Sequence, residues 1–275
     1  MALPPGRRSL FVAAIVGALA SAGCASVPSP LAPGVSGSIG APNLGLLTES
    51  TALPVTGRGF RRLRPRSDRV YGTKELVDTL LFAAGEVTKD PSAPKVLIGD
   101  LGARRGGRLR GHASHRTGRD VDILLMFTTL QGVPIEAPGF VKVGTDGLAE
   151  IGGKAGKSYV RFDVARTWQL VRGLVSSPHA EIGWIFIAEW LEAMVIQHAR
   201  AKGEDPALIF RATAVMHQPR DAAPHDDHIH VRVACTFDEA VRGCVDGTPT
   251  WPFKAPRPEL AMTPEDMAEG LDPLL

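Results

Sequence analysis

The chain has 275 residues, 44% of them hydrophobic, which is enough to bury the core of one globular domain together with accessory segments. A formal net charge of only +2 gives no support to nucleic-acid binding by the chain as a whole. Arginines nevertheless cluster in one short stretch, where they could attract an anionic polymer or substrate carboxylates. These arginines are Arg104, Arg105, Arg108, Arg110, Arg116 and Arg119.

The N-terminus is predicted to be an export signal. Arg7 and Arg8 precede an apolar run over residues 10–23 that is too short to span a bilayer. The run ends at Cys24 in a sequence that resembles a bacterial lipoprotein processing box, although Ser21 replaces the usual leucine. We therefore expect a signal peptide over residues 1–24, a periplasmic location and a lipid anchor at Cys24. A secreted protein cleaved at a nearby alanine is the alternative.

Residues 25–57 are rich in Pro, Ser, Gly and Ala, and Glu49 is their only charged residue. This composition predicts a flexible linker between an anchor and a folded domain. The domain itself is expected over residues 58–254, followed by a C-terminal tail over 255–275.

Hydrophobic periodicity indicates helices and strands in mixed order within this domain. Helices are predicted from Lys74 to about Asp90, over 163–175 and over 189–201. Strands are predicted over 95–99, 121–126, 182–187, 212–216 and 228–234, and a loop region over 131–158. Because the elements do not alternate as βαβ units, we expect an α+β fold with a mostly antiparallel central sheet, flanking helices and long loops.

Two histidine clusters stand out, since six of the eight histidines lie in the windows 112–115 and 217–230. In the second cluster, His228 and His230 begin a predicted strand, where alternate side chains share one face of a sheet. In the first cluster, His115 lies seven residues before Asp122, which falls on another predicted strand.

Three protein ligands and one open position for water make up a typical catalytic zinc site. His115, Asp122 and His230 could supply two imidazoles and a carboxylate, leaving a charge of +1 that activates a bound water. His228, on the same face as His230, could exchange protons with that water or with a leaving amine. The sequence thus predicts a zinc site at the sheet, and a hydrogen-bonded polar cluster without metal is the alternative.

The cysteines fit export. If Cys24 is lipidated, Cys235 and Cys244 remain as a pair, and an oxidising compartment favours a disulfide between them. A Cys/Cys metal site is less favoured because no CxxC spacing is present.

The motifs together carry a family resemblance. The segments Gly99–Gly102, Gly106–Arg108, His112–Asp122 and His225–Arg232 resemble those of the penicillin-insensitive murein DD-endopeptidases, within the wider group of lysostaphin-type and D-Ala-D-Ala metallopeptidases. The resemblance covers roughly residues 58–250. It implies zinc-dependent hydrolysis of the D-alanyl–diaminopimelyl cross-link of peptidoglycan by metal-activated water.

The same resemblance implies roles for individual residues. It implies that His115, Asp122 and His230 bind zinc and that His228 and His225 are catalytic. It also implies that His112 could bind a second or alternative metal.

Two other functions stay open. One is a catalytically silent, lipid-anchored protein that binds peptidoglycan. The other is a non-haem iron protein, since two histidines and a carboxylate can also hold Fe(II).

Overall fold

The structure is a computed structural model that describes residues 37–253, apart from 89, 91, 154, 155, 248 and 250. The predicted signal peptide with Cys24, the first part of the predicted linker and the predicted tail lie outside the described residues. No helix within the described part of the chain is long and apolar enough to cross a membrane.

Five helices are present among the described residues, and three of them were predicted. They are α1 (Lys74–Val87), α2 (Val164–Val175), α3 (Glu189–Ala201), α4 (Pro206–Val215) and α5 (Phe237–Val241). Thr73 caps α1 by accepting a hydrogen bond from the Leu76 amide, and Asp163 caps α2 by accepting one from the Arg166 amide. These caps fix where each helix begins.

Short strands occupy much of the remaining chain. They are β1 (Gly37–Ala41), β2 (Leu44–Thr48), β3 (Thr51–Ala52), β4 (Thr56–Gly57), β5 (Phe60–Arg62), β6 (Tyr71–Gly72), β7 (Val96–Ile98), β8 (Asp120–Leu124), β9 (Phe127–Thr128), β10 (Pro134–Ile135), β11 (Leu148–Gly153), β12 (Gly156–Phe162), β13 (Ile182–Phe186), β14 (Met216–His217) and β15 (His228–Val233).

The central sheet has seven strands in the order β14-β13-β15-β8-β7-β5-β4. Only the β13–β14 and β5–β7 pairs are parallel, so the predicted α+β fold with a mostly antiparallel sheet is confirmed. Side chains on one face of β8 and β15, such as Val121, Ile123, Ile229 and Val231, are completely buried. They belong to the same core as residues of α1 to α4, so this face of the sheet carries the helices. The opposite face is left for polar side chains.

Residues 37–57, which the sequence predicts to be a flexible linker, instead form strands β1 to β4, and that prediction is wrong for this part. The small side chains permit close packing there. Ser38 is 1% exposed, and its Oγ accepts a hydrogen bond from Nε of the fully buried Arg119. The backbone of Gly40 pairs with that of residues 243–245. Low side-chain volume therefore indicated tight backbone contacts rather than mobility.

The region 131–158 was predicted as a loop, but β10, β11 and the start of β12 lie within it. In β12 the alternation is visible: Val160 and Phe162 are buried, while Tyr159 is 47% exposed. The predicted strand over 212–216 is also wrong, because most of it is the end of α4. The signal for that helix is Asp205-Pro206, where the aspartate caps the helix and proline occupies its first turn.

The predicted disulfide is present. Cys235 and Cys244 are bonded and enclose α5. The backbone of Gly40 lies alongside Cys244, so this closed loop also holds the first hairpin of the described chain.

Candidate metal centre

The candidate site lies on the face of the central sheet opposite the core formed with α1 to α4, where β15 pairs with β8. In this antiparallel register His230 is directly opposite Asp122, and Arg232 is opposite Asp120. Phe186 of β13 is opposite His230 on the other side. Directly paired residues share a face and lie close together, so strand pairing alone brings a histidine from the second motif to an aspartate from the first.

His115 reaches the same place from the loop before β8. Its backbone has a φ of 65°, a left-handed conformation uncommon for a residue other than glycine. The His115 amide donates to Oδ2 of Asp120, and its ring lies 4.8 Å from the ring of His230, centroid to centroid. The unusual backbone conformation is thus used to turn an imidazole inward at a buried position, where His115 is 1% exposed.

The hydrogen bonds of His115 define which nitrogen is available. Its Nδ1 lies 2.6 Å from the carbonyl oxygen of Leu101. Because a carbonyl only accepts, Nδ1 carries the proton and Nε2 has a free lone pair. Nε2 lies 3.3 Å from Oδ1 of Asp122. Neither atom makes a hydrogen bond among the described residues, although both are buried.

His230 is oriented in the same manner. Its Nε2 lies 2.8 Å from Oδ1 of Asp120, and its Nδ1 lies 3.2 Å from Oδ1 of Asp122. Burial lowers the pKa of His230, but the neighbouring carboxylates of Asp120 and Asp122 outweigh burial and raise the pKa to about 9.

The two carboxylates are held ionised. Burial raises the pKa of both Asp120 and Asp122, but their charged neighbours have the larger combined effect. The pKa of Asp120 is lowered by Arg232 and His230, and that of Asp122 is lowered by His115 and His230 to well below the usual range. Nε of Arg232 donates to Asp120 at 2.7 Å, so Asp120 faces a cation on one side and His230 on the other.

His228 and His112 complete the set. His228 Nδ1 lies 2.6 Å from Oδ1 of Asp227, and its Nε2 lies 3.6 Å from Oδ1 of Asp122. His112 Nε2 lies 3.1 Å from Oδ2 of Asp100, and its Nδ1 lies 3.5 Å from Oδ2 of Asp122. Four imidazoles thus face the Asp122 carboxylate with one nitrogen each, while an oxygen acceptor holds the other nitrogen of every ring.

Such a cluster fits a divalent cation. Lone pairs that face a carboxylate repel it unless a proton or a metal ion lies between them, and the outer hydrogen bonds are those that orient metal-binding histidines. The ligand atoms of His112, His115 and Asp122 all lie within 4.8 Å of one another. This grouping contains His112 instead of the predicted His230. His230 is the more buried of the two, with 9% of its side chain exposed against 18% for His112.

His225 lies beside this cluster. Its ring centroid is 5.3 Å from that of His228 and 5.7 Å from that of Phe186. Gln218 Oε1 accepts a hydrogen bond from the His225 amide. Burial, followed by the charges of His228 and His230, lowers the pKa of His225 to about 4, so this ring is neutral at neutral pH.

Sequence reasoning missed several side chains that border the site. Asp100 and Asp227 hold the outer nitrogens of His112 and His228, and Phe186 packs against His225 and His230. Asp227 stands next to His228 in the sequence and could have been found from that position. Asp100 lies in the loop after β7 and Phe186 lies on β13, and only the strand order brings them here.

Known proteins resemble this chain. A model of the family described as penicillin-insensitive murein endopeptidase matches residues 38–137. That stretch contains His112, His115 and Asp122 and ends before the second histidine cluster.

Individual relatives extend the match. A protein named penicillin-insensitive murein endopeptidase from Haemophilus influenzae is 28% identical over 242 residues, which are 84% of this chain and 78% of that protein. Proteins of the same name from Klebsiella pneumoniae and Escherichia coli are 37% identical over 117 residues and 38% identical over 94 residues. These two matches span 42% and 34%, respectively, of both chains compared. The resemblance drawn from the histidine motifs is confirmed: this chain is similar in sequence to proteins named penicillin-insensitive murein endopeptidase.

Proposed function

We propose that this relative of the penicillin-insensitive murein endopeptidases is a zinc-dependent hydrolase that cleaves peptide cross-links in peptidoglycan at the D-alanyl–diaminopimelyl bond. The observation that carries the proposal is the convergence of four imidazole nitrogens on Asp122, at 3.2 to 3.6 Å from its oxygens. The names of the relatives indicate the substrate, and the cluster indicates the chemistry.

His115, Asp122 and His230 are proposed to hold the metal through Nε2, a carboxylate oxygen and Nδ1. Two imidazoles and a carboxylate are a donor set that zinc accepts, with one position left open. When bound, zinc would polarise the scissile carbonyl and lower the pKa of a water molecule towards neutrality. His112 stays an alternative or second ligand because its Nδ1 also faces Asp122.

His228 is proposed to move the proton. It lies at the outer end of β15, and its side chain is 23% exposed, more than those of His115 and His230. Its Nδ1–H donates to Asp227, which leaves Nε2 directed into the cluster as a base. From there Nε2 can take a proton from the attacking water and later give it to the leaving amine.

His225 is proposed to donate a hydrogen bond in its neutral form. Its lowered pKa keeps it from competing with His228 for the proton. A neutral N–H beside the cluster can stabilise negative charge that develops on the substrate carbonyl oxygen.

The test is digestion of cross-linked muropeptide dimers by the purified protein, with and without a chelator, followed by mass spectrometry. We expect two monomers from each dimer, one with a new D-alanine carboxyl end and one with a new free amine on diaminopimelate. A chelator should prevent cleavage, and added zinc should restore it. Penicillin should not inhibit, because no nucleophilic serine is involved. Intact dimers in all samples would favour a silent peptidoglycan-binding protein, and stoichiometric iron in metal analysis would favour a non-haem iron protein.

The proposed location is the periplasm, with anchoring to the membrane through lipidated Cys24. Labelling of cells with a radioactive fatty acid should mark the wild-type protein. Replacing Cys24→Ala should abolish the label, and a label that persists would contradict the anchor.

A further inference from the structure

A closed ring of side chains surrounds the mouth of the candidate metal centre. It runs from Asp122 to His112 and Asp100, then through Arg64 and Phe140 to His228, which faces Asp122 again. The links from Asp122 to Arg64 are 3.5, 3.1 and 3.0 Å between polar atoms. The guanidinium carbon of Arg64 lies 5.8 Å from the centre of the Phe140 ring, which in turn lies 5.7 Å from that of His228. His228 Nε2 is 3.6 Å from Asp122.

Two members of this ring face solvent. The side chain of Arg64 is 53% exposed, and Phe140 is 41% exposed, whereas Asp100 and Asp122 are buried. The loop that carries Phe140 is fastened to the second histidine motif, because the Val143 amide donates to the carbonyl of Asp226 at 2.8 Å. Phe140 is therefore not part of the core, and its exposed ring beside His228 can contact a ligand.

The positive charge of Arg64 is only partly balanced by Asp100, because Asp100 also pairs with Arg69. Asp100 accepts hydrogen bonds from both Arg64 and Arg69, each at 3.0 Å, so two cations share one carboxylate. The two guanidiniums together carry one more charge than the Asp100 carboxylate. Arg64 is the more exposed of the two, with 53% of its side chain exposed against 32% for Arg69.

A guanidinium is suited to a carboxylate ligand, since it can donate two parallel hydrogen bonds to it. Arg64 uses Nη1 towards Asp100, and stacking near Phe140 limits the freedom of its planar head. The head lies beside Phe140, whose ring in turn lies next to that of His228, the residue proposed to move the proton.

We propose that Arg64 binds a free carboxylate of the peptide substrate and that Phe140 packs against the carbon chain beside that carboxylate. This inference rests on the proposed function. In a cross-link made through a diaminopimelate amine, the carbon that bears the scissile nitrogen also bears a carboxylate. Arg64 selects peptides in which this carboxylate is free, and an amide at the same position is a poor substrate.

The experiment compares two cross-linked muropeptides that differ only in this group, one with the free carboxylate and one with its amide. The wild-type protein should prefer the free acid by about 10- to 100-fold in kcat/KM, the range for a hydrogen bond to a charged group. Arg64→Gln should lose that preference by slowing cleavage of the acid alone, and Arg64→Lys should retain part of it. The matched control is Arg242→Gln, which removes an exposed arginine just after α5, beyond the other end of β15. This control should keep the full preference.

Equal cleavage of acid and amide by the wild-type protein would overturn the inference while leaving the proposed function standing. An equal loss on both substrates in Arg64→Gln would also overturn it, because Arg64 would then only support Asp100. Zinc content of each variant, expected unchanged, separates these outcomes from damage to the metal centre.

A binding measurement keeps the inference independent of turnover. His228→Ala protein titrated with the uncleaved acid and amide should bind the acid more tightly, and adding Arg64→Gln should make the two affinities equal. Tighter binding of the amide, or no change on adding Arg64→Gln, would overturn the inference. Lack of cleavage by wild-type protein with preserved preference in binding would instead count against the proposed hydrolysis.

Discussion

Nε2 of His115 lies 3.3 Å from Oδ1 of Asp122, and both atoms are buried without a hydrogen bond among the described residues. An unsatisfied buried polar atom costs about 1–3 kcal/mol, so two such atoms facing each other indicate a missing common partner. The Nδ1–H group of His115 already donates a hydrogen bond to the carbonyl oxygen of Leu101. A cation between Nε2 and Oδ1 would satisfy both atoms at once, and the account of the site depends on this relationship.

The first prediction separates metal binding from proton transfer on β15. His230→Ala should abolish both zinc retention and cleavage, because it removes the Nδ1 that faces Asp122. His228→Ala should keep most of the metal and lower kcat by about 10²- to 10⁴-fold, the usual contribution of a general acid–base group. Metal analysis after dialysis and muropeptide cleavage rates provide the two readouts. Equal metal loss in both variants would contradict this division of roles.

The second prediction concerns the carboxylates that orient these histidines. Asp120→Asn should weaken zinc binding by about 10- to 100-fold, since Asp120 holds the outer nitrogen of His230. The matched variant is Asp227→Asn, because Asp227 holds the outer nitrogen of His228. This variant should lower turnover and change zinc affinity only slightly. Competition with a chromophoric chelator measures the affinities, and similar zinc affinities for the two variants would refute the distinction.

The third prediction is a pH dependence of stability that arises from α3. Burial, followed by the charge of Glu189, raises the pKa of Glu192 to about 7 from 4.5. Between pH 4.5 and about 7 the Glu192 carboxyl is ionised in the unfolded chain and protonated in the folded protein. The free energy of unfolding therefore falls as the pH rises. Glu192→Gln removes this decrease in the free energy of unfolding, because glutamine does not ionise. Its stability relative to wild type should therefore increase from pH 4 to pH 8.

Urea denaturation at both pH values measures the effect. Glu86→Gln, at an exposed position of α1, is the control for loss of a helical carboxylate. A stability difference between Glu192→Gln and wild type that does not change with pH would contradict the third prediction.

The fourth prediction concerns the disulfide. Replacing both Cys235 and Cys244 by serine should lower the free energy of unfolding by about 2–3 kcal/mol, since the bond closes a loop with a sequence separation of 9. The backbone of Gly40 pairs beside Cys244, so protease cleavage near the β1–β2 hairpin should also become faster. Unchanged urea denaturation would mean that the bond contributes little to folding.

Local pattern indicated which residues form the candidate site. The alternation of side chains along a strand placed His228 and His230 on one face, and Asp122 fell on a second predicted strand. The structure brings these strands side by side in register, with His230 opposite Asp122. Helices α1 to α3 followed from apolar spacing.

Contacts between distant segments could not be predicted from local sequence patterns. Arg64 and Phe140 meet at the rim only because their loops are fastened to neighbouring parts of the sheet. The segment 37–48 has the composition of a linker, yet Ser38 and Gly40 pack against partners that come some 80 to 200 residues later. Small residues are compatible with both a mobile chain and a tightly packed one, and composition alone does not distinguish them.

X-ray absorption at the zinc edge of the purified, zinc-loaded protein tests the central claim most directly, because it reports the ligands of the metal itself. We expect one zinc per chain with only nitrogen and oxygen ligands at about 2.0–2.2 Å, including the scattering signature of two imidazoles. A spectrum without imidazole scattering, or one with sulfur ligands, would contradict the assignment of His115, Asp122 and His230 as the metal ligands.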